Sequence, residues 1–238
     1  MRNVWSMASI GVLGLSVASV QRVAAQGFDG TLTYQIHTEN GKTMTLVTMS
    51  KGNKMRMEMS DPENPMRSGA FVVDNDAHTR MMIMNGQKKY IMIPESMTNM
   101  MGKGATTANT PTFTFTKTGR TETVAGVSCD VIHGTGTNNG KAEEGDICVA
   151  KGVGFNPGMF ASMAGQNPAP GLAAIRDAVG PGNGVLKFTS TKEGKPDVTM
   201  EVTKIDRSSP SSDAFNPPAG YTAVQIPAGM GAGAGGKP

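Results

Sequence analysis

The stretch Phe28-Asp29-Gly30-Thr31-Leu32-Thr33-Tyr34-Gln35-Ile36-His37 decides the fold. Phe28, Gly30, Leu32, Tyr34 and Ile36 alternate with Asp29, Thr31, Thr33, Gln35 and His37. A period of two puts one set on a dry face and the other in water, the mark of a half-buried strand. The period returns downstream: Met55, Met57 and Met59 alternate with Lys54, Arg56 and Glu58, and Phe113 and Phe115 with Thr112, Thr114 and Thr116. Val198, Met200 and Val202 alternate with Thr199, Glu201 and Thr203. Between the runs, Asn40-Gly41, Asn85-Gly86 and Asn139-Gly140 suit type I′ hairpin turns, because both residues tolerate positive φ. Lys51-Gly52-Asn53, Asp74-Asn75-Asp76 and Glu193-Gly194-Lys195 read as further turns. Short strands joined by tight turns predict an antiparallel meander. One wet face per strand favours a single curved sheet over two stacked ones.

Such a sheet needs a cover for its dry face, and helices are the candidates. Asn156-Pro157 offers an N-cap and a first-turn proline ahead of Gly158 to Ala164. Pro170 opens a second helix, with Leu172, Ile175 and Val179 on one side and Gly180 as its stop. Glu95 to Met101 is a third, with Met97, Met100 and Met101 on one face. The expectation is a mainly β fold, one curved antiparallel sheet wrapped around two or three short helices.

Residues 1–25 read as a signal peptide. Arg2 starts it, Ile10 to Val20 is its apolar segment, and Val23-Ala24-Ala25 supplies the small residues of a cleavage site. That segment is shorter than the ~20 residues a membrane span needs, and no second candidate follows. The mature chain is expected to be exported, periplasmic or extracellular, and soluble. Residues 26–228 form one domain, and the Gly- and Ala-rich stretch 229–238 is expected to be disordered. With Arg2 and Arg22 gone, the formal charge falls from +3 to +1. That near-neutral balance, with no basic cluster, does not indicate nucleic acid or an anionic membrane.

Two cysteines, Cys129 and Cys148, in an exported chain read first as a disulfide. The midpoint between them falls at Asn138-Asn139, inside the turn-forming stretch from Gly136 to Lys141. A hairpin folded there brings the two roughly opposite each other, about 4.5–5.5 Å apart at Cα, within disulfide reach. A metal pair would lack ligands beyond His133, and a redox dithiol would have the C-x-x-C spacing.

Methionine is the compositional oddity, with 19 in the chain. Met55-Arg56-Met57-Glu58-Met59 has a spacing that sets three thioethers on one side of a strand, and soft sulfur selects Cu(I). The competing reading is that methionine fills an apolar core or cavity wall. Copper sites usually recruit histidine, and His37, His78 and His133 are scattered over turns and polar faces. Asp74-Asn75-Asp76 lacks the later glycine and closing glutamate of a calcium loop. No nucleophile elbow, zinc-protease helix, phosphate loop or dinucleotide fingerprint is present, so neither an enzyme nor a cofactor is expected.

Several segments in order carry a resemblance. Phe28-x-Gly30 opens the first strand, Lys51-Gly52-Asn53-Lys54-Met55-Arg56 follows, then Val72-Val73-Asp74 and Lys89-Tyr90. Thr118-Gly119 leads into Val124-Ala125-Gly126-Val127-x-Cys129, and Phe215-x-Pro217-Pro218-x-Gly220-Tyr221 closes the series. Together they resemble an exported bacterial family, domain of unknown function 4412, which in turn looks similar to the periplasmic lipoprotein carriers. The resemblance implies a half-barrel with an apolar groove; it carries no catalytic residue.

The expected function is therefore that of a non-enzymatic binding protein. It holds an apolar or lipid-like ligand against a groove formed by Met55, Met57, Met59, Phe113 and Phe115. The alternatives are an envelope scaffold that meets a partner protein and has a self-filled core, or a Met-rich Cu(I)-binding protein.

Overall fold

The computed structural model describes residues 28–64, 66, 68–94, 112–138, 141–154, 170–192 and 194–225. Each alternating run forms a strand. The first meander is β1 (Gly30–Thr38), β2 (Thr43–Lys51), β3 (Lys54–Ser60), β4 (Gly69–Asp74), β5 (Thr79–Met84) and β6 (Lys89–Met92). The second is β7 (Thr112–Val124), β8 (Val127–Asn138), β9 (Lys141–Lys151), β10 (Asn183–Lys192) and β11 (Lys195–Asp206). Strand β12 (Thr222–Val224) closes the series.

All belong to one open curved sheet, in the order β12-β6-β5-β4-β3-β2-β1-β11-β10-β9-β8-β7. The two meanders meet where β1 pairs with β11, from Thr31 opposite Asp206 to Thr38 opposite Val198. One pair departs from the expected antiparallel pattern: β12 runs parallel to β6.

A buried seam core holds Leu32 and Tyr34 of β1 with Leu186, Val202, Val131 and Ala150. The fully buried Tyr34 donates its hydroxyl to the Val185 carbonyl at 2.9 Å, reaching past β11 to β10. Cys129 and Cys148 are bonded, with Cα atoms 5.4 Å apart. Their hairpin pairs Asn138 with Lys141 and Val131 with Cys148, so the cysteines are diagonal neighbours rather than direct partners. The strands run through Gly136 and Thr137, setting the register one residue later than the sequence midpoint.

One α-helix is present among the described residues, α1 (Pro170–Val179). Proline at its first position needs no amide donor. Gly180 takes φ +76° and donates its amide to Arg176 at 2.9 Å, while the Asn183 side chain caps the Val179 carbonyl. Ile175 and Val179 pack against Ile132, Ile147, Val149 and Val185. The helical stretches expected at 95–101 and 158–164, the signal peptide and the tail lie outside the described residues.

The turns follow the sequence in part. Gly52 and Gly41 have positive φ as expected, although Asn40-Gly41 sits in a four-residue loop from Glu39 to Lys42. Asn85-Gly86 does not form a two-residue turn. It begins a 3₁₀ helix over Asn85–Gln87, and the left-handed residue is Lys88, at φ 50°. Two-residue hairpins occur at Gly52-Asn53, between paired Lys51 and Lys54, and at Ala125-Gly126, with φ of 48° and 80°, between paired Val124 and Val127. Asn139-Gly140 lies outside the described residues.

Candidate functional site

Cross-strand rows build the site. On one side of the cavity Met57, Phe71 and Met82 are successive ladder partners across β3, β4 and β5. A parallel row runs Leu46, Met59, Gly69, Met84. On the other side Met200, Phe188 and Ile147 form a row across β11, β10 and β9. In a flat sheet, the seven strand spacings from β5 to β9 would span roughly 34 Å. Here both sets of rows, with Ile175 of α1, line one cavity of about 610 Å³. Curvature of the sheet brings them together, and α1 lies on the cavity side.

The cavity wall is apolar. Ser68 supplies the only polar side chain among its described lining residues, and no charged residue contributes. Its Oγ accepts the Asp61 amide at 3.3 Å. Asp61, itself buried, takes the amides of Glu63 and Asn64. These bonds tie the described ends of the loop, Asp61 to Asn64 and Ser68, to each other.

The expected groove residues separate into three groups. Met57 and Met59 line the main cavity. Met55, two residues earlier on the same strand face, is buried and is not part of that wall. Phe113 and Phe115 lie on a smaller space of about 70 Å³ that shares Ile147, Ile175 and Phe188 with the larger one. Their rings, 6.3 Å apart between centroids, lie over glycines on β8. Phe115 is opposite Gly134 and Phe113 opposite Gly136. A β-carbon on Gly134 would come within 2.6 Å of the Phe115 ring, so the glycine is what lets the ring lie flat.

The period-two reading missed Phe71, Met82 and Met84. They sit in Ala70-Phe71-Val72-Val73 and Met81-Met82-Ile83-Met84, which are apolar on both faces. The reason is a second cover. Phe215 and Tyr221 pack on Ala70, Val72, Met81 and Ile83, on the face opposite Phe71 and Met82. Arg56 fixes that segment by donating to the Ala214 carbonyl at 3.2 Å, and Lys51 reaches Pro210 at 3.0 Å. A continuous apolar run bounded by turns is the signal that could have found these strands.

Charge is concentrated away from the cavity. Asp146 takes Arg120 and His133, each at 2.7 Å. Burial pushes its carboxyl up, and the hydrogen bonds and charges of Arg120 and His133 outweigh that and hold it below the usual range. Lys187 bridges Glu122 at 3.1 Å and Glu201 at 3.7 Å. Among the described residues, no group of three His, Cys, Asp or Glu side chains could hold a metal ion. No described helix is long and apolar enough to cross a membrane.

Solved structures similar to this chain share little sequence with it. PNGF-II is 13% identical, with a TM-score of 0.41 over 85% of this chain and 31% of that one. MucB in complex with MucA(peri) is 12% identical, at 0.41 over 85% and 59%. MucB by itself is 10% identical, at 0.40 over 82% and 58%. The chain therefore spans less than two thirds of each of these structures. No curated protein matches it. The family model called domain of unknown function DUF4412 matches residues 28–221, from the lead-in to β1 to the tyrosine that precedes β12, and the chain belongs to that family.

Proposed function

We propose that the protein is an exported, non-enzymatic binding protein that holds an apolar or lipid-like ligand inside the curve of its sheet. The observation that carries this reading is the cavity of about 610 Å³ walled by Met, Leu, Ile, Val and Phe. Its size falls in the range of ligand sites, and among its described lining residues the one polar side chain is Ser68, which accepts the Asp61 amide. Such a wall supplies nothing for acid–base or nucleophilic chemistry and suits an aliphatic chain. Met57, Met59, Met82 and Met84 add unbranched, polarizable side chains that adapt to a flexible occupant. Export is supported by the leader-like N-terminus and by the Cys129–Cys148 bond.

Delipidated mature protein titrated with a fluorescent fatty acid tests the reading. Trp5 lies in the leader, so the mature chain has no tryptophan background. Each buried methylene contributes about 0.8 kcal/mol, so competing alkyl chains should tighten up to ~15-fold per two carbons until the cavity is full. Phe188→Asp, at the wall shared by both spaces, should weaken binding at least roughly tenfold by burying a carboxylate. Absence of saturable binding, or affinities indifferent to chain length, would refute the proposal.

A further inference from the structure

The described methionines range from buried to largely exposed. Met55 and Met81 are 3% and 4% exposed, whereas Met59, Met66 and Met82 are 40%, 66% and 41% exposed. All three of the latter line the main cavity, so they stand where its wall meets solvent. Met92 is equally exposed, at 45%, and is not part of that wall.

Thioether oxidation follows access. A sulfur lone pair attacks one oxygen of a peroxide and the O–O bond breaks. The thioether, oxidised by two electrons, becomes a sulfoxide as the peroxide is reduced to water. The product is polar and chiral where an apolar, flexible group stood. We infer that Met59, Met66 and Met82 are peroxide-sensitive modification sites, and that their oxidation weakens retention of an apolar chain in the cavity. The ligand half of this inference rests on the proposed function; the modification half stands on exposure and position. The change is reversible, because methionine sulfoxide reductases restore each sulfoxide epimer.

The test treats the mature protein with graded hydrogen peroxide and maps sulfoxides by peptide mass spectrometry. Met59, Met66, Met82 and the control Met92 should oxidise well before Met55 and Met81. Equal rates for Met55 and Met81 would overturn the modification sites. Fluorescent fatty acid binding is then compared before and after treatment, with circular dichroism confirming that the sheet persists. Oxidation should weaken binding roughly fivefold, a modest loss because the three side chains are only partly buried. The triple variant Met59→Leu, Met66→Leu, Met82→Leu, compared with its own untreated affinity, should lose none of it after peroxide, although Met92 still oxidises. Unchanged binding by oxidised wild type, or a matching loss in the triple variant, would overturn the inference while leaving the cavity reading intact. A failure of untreated protein to bind would instead sink the cavity reading and with it the ligand half, while the order of oxidation remains decided by the mass spectra.

Discussion

Reducing the Cys129–Cys148 bond should cost the fold about 3.3 kcal/mol at 25 °C. The bond closes a loop with a sequence separation of 19, and the chain-entropy model gives that value for a loop of this length. The folded state should change little, because both sulfurs are buried among Val131, Ala150 and Leu186 and the hairpin is held by ladders to β7 and β10. The effect therefore falls on the denatured chain. For a domain of this size the urea dependence is roughly 2 kcal/mol per molar, so the unfolding midpoint should fall by about 1.6 M. The assay is equilibrium urea unfolding of oxidised protein against protein reduced in denaturant and refolded with reductant present. Fatty acid binding in the absence of urea should survive reduction, because neither cysteine lines the main cavity. A midpoint shift under about 0.5 M would refute the reasoning, since it would mean that the reduced, unfolded chain already keeps β8 and β9 together.

Ala125→Asn should stabilise the protein by roughly 0.5–1 kcal/mol, because the β7–β8 turn holds Ala125 at φ 48°, where asparagine is better tolerated; thermal unfolding would register it as a rise of a few degrees. Gly134→Ala should destabilise by about 1–2 kcal/mol, because the new methyl displaces the Phe115 ring; urea unfolding would show it, and an unchanged midpoint would contradict the packing. Arg120→Ala should cost under about 1 kcal/mol at pH 6, since more than half of that side chain is exposed. Its partner Asp146 has a lowered folded-state pKa, so this stabilisation is present above the unfolded value near 3.8 and is lost as the pH falls through the lower folded one. The gap in unfolding midpoint between wild type and Arg120→Ala should accordingly close on acidification below about pH 3.8, and a gap that widened there would contradict the sign.

Much of the fold is written locally. The alternation from Phe28 to His37 marks β1, the Pro170 start and Gly180 stop bound α1, and the cysteine spacing marks the β8–β9 hairpin. Period-two alternation, however, assigns a side chain to a face and not to a depth along the strand. That is why Met55 shares its face with Met57 and Met59 yet is buried outside the cavity wall. It also fails where both faces are covered, as on β4 and β5, whose outer cover comes from Phe215 and Tyr221, more than 130 residues further along. The pairing of Phe115 with Gly134 depends on register, which the glycines alone do not specify. The left-handed Ala125 carries no turn signature of its own.

The seam between β1 and β11 has a consequence in time. Thr31 finds Asp206 only after almost the whole domain has been synthesised, and the core around Tyr34 draws on both meanders. Contacts this remote in sequence make folding slow, because long loops must close before their pairings are rewarded. In this topology the last long strand to arrive is the one that lets the first strand settle, so strand order itself makes completion of the sheet a late event in folding.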